Sequence, residues 1–253
     1  MTEIAKKQTI GNFLNFPQTQ KFLEDNLNEK RGEFVSNLLA LCDADSNLQA
    51  CDPKTLMMCA MNATSLNLPL NKNLGYAYII PYKGIPQFQI GYKGLIQLAI
   101  RTGAYETINA CEIREGEIER NKITGAIKFN GEKPDKKVIG YLAYLKLNSG
   151  FTASLYMTEA QIEAHALKYS KSYGYDVAQK KQSSKWSDPD ARPKMALKTV
   201  LKGLLGTYGV MTTDMMTAMQ TDNENEDYID SNRGIQDADI VDQSEPETKK
   251  VKI

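Results

Sequence analysis

The chain of 253 residues holds one histidine, His165, and one tryptophan, Trp186. A single histidine leaves little material for a His-based catalytic triad or an H-E-x-x-H zinc site. The four cysteines, Cys42, Cys51, Cys59 and Cys111, form no C-x-x-C pair and no finger spacing with that histidine. They read as free thiols of a reducing compartment. No run of about 18 apolar residues occurs, so no membrane span is expected. Met1-Thr2-Glu3-Ile4-Ala5-Lys6-Lys7 passes into polar Gln8-Thr9 without the apolar stretch of a secretory signal. No G-x-x-x-x-G-K-[ST] loop is present to cradle nucleotide phosphates, and Gly91-Tyr92-Lys93-Gly94 lacks that spacing.

Net charge is also absent, with 31 basic and 31 acidic residues. The balance hides an asymmetry. Residues 220–253 carry ten acidic and four basic side chains, a net of −6, which leaves 27 basic and 21 acidic residues, a net of +6, on 1–219. A basic body with an acidic appendage suits a polyanion-binding protein. The tail is poor in large apolar residues and is expected to be disordered.

Apolar spacing predicts helices over 17–28 and 33–48, and a third opened by Asp52-Pro53 as N-cap and first-turn proline. Gly75 to Tyr82 and Phe88-Gln89-Ile90 read as a β-hairpin turning at Lys83-Gly84. A helix follows over 91–102, with Gly103 at its C-terminus. Strands are expected over 105–115, 117–121, 126–130, 138–147 and 151–157. Thr158 and Gln161 form a capping box for the next helix, running to about 171. Residues 172–190 read as an irregular, basic, aromatic-containing loop, and 193–208 as a strong amphipathic helix. This order implies an α+β fold, a small antiparallel sheet with packed helices. Residues 1–219 are expected to form one domain, helical over about 16–70 and α+β over about 71–219, with 220–253 as its tail.

Acidic clusters raise the alternative of a metal-dependent nuclease, which needs convergent carboxylates. Glu115, Glu117 and Glu119 alternate with Arg114, Arg120 and Lys122, as in a solvated charged hairpin. Asp188 and Asp190 flank Pro189 just before a helix, where aspartates serve as caps.

Three basic segments stand out. Lys83 lies at the hairpin turn, and Tyr92 opens the following helix. On that helix Lys93, Gln97 and Arg101 recur every four residues and drift only about 40° per step. Such a stripe can meet phosphates, and the glycines at 91 and 94 permit close backbone approach. The second segment runs from Lys168-Tyr169 through Tyr173-Gly174-Tyr175 and Lys180-Lys181 to Lys185-Trp186. Cations interleaved with rings suit single-stranded nucleic acid, and for Trp186 packing and stacking both stay open. The third is the helix bearing Lys194, Lys198 and Lys202, a ridge set beside the apolar face of Leu197, Val200, Leu201, Leu204 and Leu205.

Beyond these features, a longer pattern is present. Leu74-Gly75-Tyr76-Ala77-Tyr78-Ile79-Ile80-Pro81-Tyr82, then Phe88-Gln89-Ile90-Gly91-Tyr92-Lys93-Gly94-Leu95-Ile96-Gln97-Leu98-Ala99, then Arg101-Thr102-Gly103, resembles the core signature of the RecT family of phage recombinases. So do Trp186-Ser187-Asp188-Pro189 and Lys194-Met195-Ala196-Leu197-Lys198-Thr199-Val200-Leu201-Lys202. The chain departs from that family in one place: the family usually has an acidic residue before the Met-Ala pair and a lysine pair after it, whereas this run reads Arg192-Pro193-Lys194-Met195-Ala196-Leu197-Lys198. The resemblance implies a fold related to the Red-beta/Rad52-type annealing proteins and oligomers in the form of rings or helical filaments. It implies ATP-independent annealing of single-stranded DNA to duplex, with no hydrolytic site and no cofactor. It also implies a phage or prophage setting in a bacterial cytoplasm. A partner exonuclease and host single-strand-binding protein are implied as partners, reached through the acidic tail. The basic segments give Lys83, Tyr92, Lys93, Arg101, Lys181, Lys185, Lys194, Lys198 and Lys202 as the expected DNA-binding residues, with the Lys93/Arg101 stripe and the Lys194/Lys198/Lys202 ridge on phosphates. A passive single-strand-binding protein is the other alternative.

Overall fold

The computed structural model describes residues 8–220 except Lys72, Lys83, Asp214 and Ala218. The acidic tail and Lys83 therefore lie outside the described residues. The fold is α+β, with helices packed on small antiparallel sheets.

A helical N-terminal part comprises α1 (Ile10–Leu14), α2 (Pro17–Leu27), a 3-10 turn (Asn28–Lys30), α3 (Arg31–Asp43), α4 (Ser46–Gln49) and α5 (Pro53–Ser65). The single helix expected over 33–48 is divided. Asp45, in extended conformation, accepts the Asn47 N–H and starts α4 as a separate turn. An aspartate that serves its own backbone this way competes with helix continuation. Asp52 caps α5 by accepting from Thr55, with Pro53 in the first turn.

α5 lies against the hairpin of β1 (Ala77–Tyr82) and β2 (Ile85–Ile90). Ala77, Ile79, Phe88 and Ile90 are buried beneath it. Cys59 Sγ donates to the Pro86 carbonyl at 3.2 Å, and burial pushes its thiol up to about 11, so it stays protonated. α6 (Tyr92–Arg101) crosses the hairpin base closely. A Cβ at Gly91 or Gly94 would collide with the carbonyls of Gly75 and Tyr76. Those two glycines therefore serve a backbone crossing within the chain itself.

The central sheet runs β3 (Tyr105–Arg114), β6 (Val138–Leu147), β7 (Thr152–Thr158), antiparallel in that order. A side hairpin, β4 (Ile118–Arg120) and β5 (Ile127–Phe129), is tied to β7 by the Ser154 hydroxyl donating to the Gly125 carbonyl. Then follow α7 (Glu159–Tyr169), opened by the Thr158–Gln161 capping box, α8 (Lys171–Gln179) and α9 (Arg192–Tyr208).

The helix α8 corrects the expectation of an irregular loop over 172–190. Ser170 caps it by accepting the Tyr173 N–H, and Lys180, at φ 52°, ends it in the left-handed conformation. Its glycine and two aromatics weaken the helical signal in the sequence, whereas tertiary burial of Tyr173 and Asp176 supplies what propensity lacks.

α9 packs on β6 and β7, and Ala196, Val200, Leu201, Leu204 and Leu205 are wholly buried along it. Each such leucine or valine contributes about 1.5–3 kcal/mol through burial. Leu204→Ala is expected to cost about 2–5 kcal/mol in urea unfolding. A loss under about 1 kcal/mol would show that α9 is not the spine of this core.

Candidate nucleic-acid interface

α9 has two faces. One is the buried spine. The other turns Lys198 and Lys202 into a groove of about 800 Å³. The groove draws on separate parts of the chain: the outer face of the β1–β2 hairpin, β7, α7, the start of α8, the segment before α9, and α9 itself. Lys185 and Trp186 line it from the segment before α9. Lys171 enters from α8. Gly203 lets α9 lie close to β7, since a Cβ there would meet Leu155 Cδ2 at 2.7 Å.

Of the residues expected from sequence, Lys185, Lys198 and Lys202 share this groove. Lys198 and Lys202 are half-buried where they line the groove, so part of each side chain is packed. Tyr92, Lys93, Arg101, Lys181 and Lys194 are not among its lining residues. Lys93 and Lys194 are exposed elsewhere. Tyr92 is half-buried against the core. Lys181 donates to the Tyr175 hydroxyl at 3.0 Å and sits over that ring at 5.1 Å. Arg101 serves the fold. Its guanidinium donates to the carbonyls of Leu66 and Asn67 at 2.7 and 2.9 Å, closing the C-terminal end of α5.

Two polar networks hold the groove's rim. Asp176 is buried, and its carboxylate accepts from the Ser183 and Ser184 N–H groups and the Ser183 and Ser187 hydroxyls, at 2.6–2.8 Å. These bonds, the serine hydroxyls foremost, hold its carboxyl far below the usual range. They fold the segment that carries Lys185 and Trp186. Trp186 is buried there, with Tyr173 at 6.4 Å between ring centres, so it packs rather than standing free for stacking.

The second network centres on Arg192. It donates from Nε and Nη2 to Glu159 Oε1 at 3.2 and 2.7 Å, and Nη2 lies 2.9 Å from Glu163 Oε2. Tyr173 donates its hydroxyl to Glu163 at 2.6 Å. Burial opposes the charge on Arg192, but the two carboxylates outweigh it and raise its pKa. Arg192, in the run that departs from the family pattern, is thus met by two acids on α7.

The acidic clusters diverge. Glu117 turns inward and accepts the Arg114 and Lys133 N–H groups, whereas Glu119 meets Lys128 and Asn130. This corrects the expectation of one solvated row. Among the described residues no group of three or more His, Cys, Asp or Glu is placed to hold a metal ion. Asp188 and Asp190 do not cap α9 with their side chains. Ala191 stands at the N-cap position, and the Asp188 carbonyl takes the Ala191 and Arg192 N–H groups.

Sequence reasoning missed the hairpin's outer face and His165. Ile80, Tyr82, Gln87 and Gln89 line the groove, and their strand alternation was the available signal. His165 lines it too; burial first, then Lys202 and Lys168, lower its pKa, so it is neutral at pH 7.

Two outcomes are expected. Asp176 stabilises the fold fully above the ordinary aspartate value of about 3.9 and progressively less as pH falls below it. Asp176→Asn should melt below wild type at pH 7, with the gap starting to narrow only as pH falls below about 3.9 and still open at about pH 3; melting curves that coincide at pH 7 would discount the network. Arg101→Ala should lose about 1 kcal/mol of stability, yet keep its DNA affinity within about twofold, because its donors already serve carbonyls. A large affinity loss in a folded variant would return Arg101 to the interface.

Among the described residues no helix is long and apolar enough to cross a membrane. Comparison with known proteins gives a consistent picture. The chain is 41% identical over 244 residues to the uncharacterized protein YqaK of Bacillus subtilis, spanning 95% of this chain and 81% of that protein. It is 32% identical over 124 residues to Protein RecT of Escherichia coli, spanning 45% of this chain and 46% of that one. The RecT family model matches residues 32–237, which include every groove-lining segment, and the chain belongs to the RecT family.

Proposed function

We propose that this chain binds single-stranded DNA in the groove beside α9 and anneals it to a complementary strand without nucleotide hydrolysis, in homologous recombination. One observation carries the reading: Lys185, Lys198 and Lys202, from two separate segments, converge on a single trough in a member of the RecT family. Two strands repel through their phosphates. A cationic trough lowers that repulsion and releases counterions. Base pairing then supplies the free energy, so no fuel is required.

Lys185, Lys198 and Lys202 are the proposed phosphate contacts, joined by Lys171 from the same groove. Lys93 and Lys194, exposed outside it, are proposed as outer contacts. Lys83 is retained on sequence grounds, as the neighbour of groove-lining Tyr82. Protomers side by side would hold one strand in series, which multiplies affinity through effective concentration. Ring or filament assembly belongs to this proposal. So do a bacterial cytoplasmic setting and the contact of the acidic tail with an exonuclease or single-strand-binding protein.

Lys198→Gln and Lys202→Gln are expected to weaken oligonucleotide binding alike for all sequences. Each should flatten the slope of log affinity against log salt by about 0.7 per lost contact. Wild type should accelerate pairing of two labelled complementary oligonucleotides without ATP. Binding without acceleration would mark a passive single-strand-binding protein. Shortening of the labelled strand in Mg²⁺ would mark a nuclease. Unchanged affinity in both folded variants would remove the groove from the site.

A further inference from the structure

Lysines explain affinity for a backbone that is the same at every nucleotide, but not which way the bases face. The hairpin side of the groove bears on that question. Ile80 pairs with Gln87 across β1 and β2, and Tyr78 with Gln89. Gln87 is only 3% exposed and lines the groove, as does half-buried Gln89. Among the described residues no hydrogen bond engages the Gln87 side-chain amide. Buried polar groups are normally bonded, because water given up must be replaced. A side chain so nearly buried, whose amide has no partner in the fold and borders a trough, points to a ligand that completes it.

The chemistry of the bases narrows that ligand. On the major-groove edge adenine and cytosine offer amino donors, whereas guanine and thymine offer carbonyl acceptors. A glutamine there would discriminate, as it does when it pairs with adenine. On the minor-groove edge every base offers an acceptor, N3 of a purine or O2 of a pyrimidine. An amide N–H donated to that acceptor tolerates any sequence and leaves the Watson–Crick edge free.

We propose that Gln87, assisted by Gln89, donates its amide N–H to the minor-groove acceptor of bases held in the groove, and so turns their pairing edges toward the incoming strand. Gln87 is thus a positioning residue for the bases, separate from the lysines that hold the phosphates. This proposal rests on the groove being the single-strand site.

The test uses the full chain and fluorescence anisotropy on three oligonucleotides: oligo-dA, the same strand with 3-deazaadenine, which replaces N3 by C–H, and the same strand with 7-deazaadenine. Wild type is expected to lose about three- to tenfold in affinity on 3-deazaadenine, the scale of a neutral hydrogen bond, and to lose little on 7-deazaadenine. Gln87→Met is expected to bind oligo-dA more weakly than wild type and no longer to distinguish the 3-deaza strand. Its melting temperature should equal or exceed that of wild type, because an unbonded buried amide gives way to an apolar chain of similar size. A lowered melting temperature with unchanged discrimination would assign Gln87 a structural role and overturn the proposal. Wild type binding all three strands alike, or losing affinity only on 7-deazaadenine, would overturn it without any variant. If Lys198→Gln still binds more weakly in that case, the groove stands and only the base contact falls. If Lys198→Gln and Lys202→Gln bind as wild type does, the groove is not the site and the base contact falls with it.

Discussion

Two lysines four residues apart on one helix repel each other, and the burial of the opposite face of α9 holds them there. Like charges at that spacing cost a helix about 0.2–0.5 kcal/mol. Val200, Leu201, Leu204 and Leu205, all wholly buried, each return about 1.5–3 kcal/mol. The burial term wins by an order of magnitude, so the seating of the apolar face sets where Lys198 and Lys202 lie. The same seating fixes where they point. Gly203 brings α9 close to Leu155 on β7, and that contact sets one border of the groove. A helix whose apolar face were weaker would be free to rotate, and the cations would disperse into solvent.

The rest of the rim is held by polar bonds rather than by apolar area. The segment 180–191 contains no regular element and two buried residues, Ser184 and Trp186. Four hydrogen bonds to the Asp176 carboxylate give its backbone the order that a strand or helix would otherwise supply. Arg192, at the start of α9, reaches α7 through Glu159 and Glu163, and α8 through Tyr173. Three helices are thereby linked at one end of the groove.

Much of the fold was legible because it follows local rules. The Asp52-Pro53 start, the Thr158–Gln161 capping box, the hairpin turn at Gly84 and the spine of α9 are each written in a few adjacent residues. α8 was not legible, because its stability comes from burying Tyr173 and Asp176 against partners outside the helix itself. The site divides the same way. Lys198 and Lys202 were expected together from helical spacing, and both line the groove because one helix face carries them. Arg101 carries the same spacing on α6, yet its guanidinium closes α5, and no periodicity on α6 records what lies beside it. Gln87 and Gln89 were passed over because uncharged residues give no electrostatic signal. Their alternation with Phe88 and Ile90 nonetheless states which way they face.

The proposed division of labour follows from what each group can distinguish. An ammonium group attracts phosphate at any angle, so lysines alone would hold a strand while letting its bases turn. Pairing needs the opposite balance: a backbone held loosely enough to adjust, and bases presented in one sense. His165, neutral at pH 7, adds no charge to the groove, so the positive charge on its lining comes from lysine. A few such cations per protomer give binding that salt weakens readily, which suits a strand that must be released as duplex. On the proposed assembly, firm retention comes from several protomers acting on one strand, because linked weak sites multiply in affinity while each remains individually reversible. A single tight groove would hold the first strand equally well and obstruct the second.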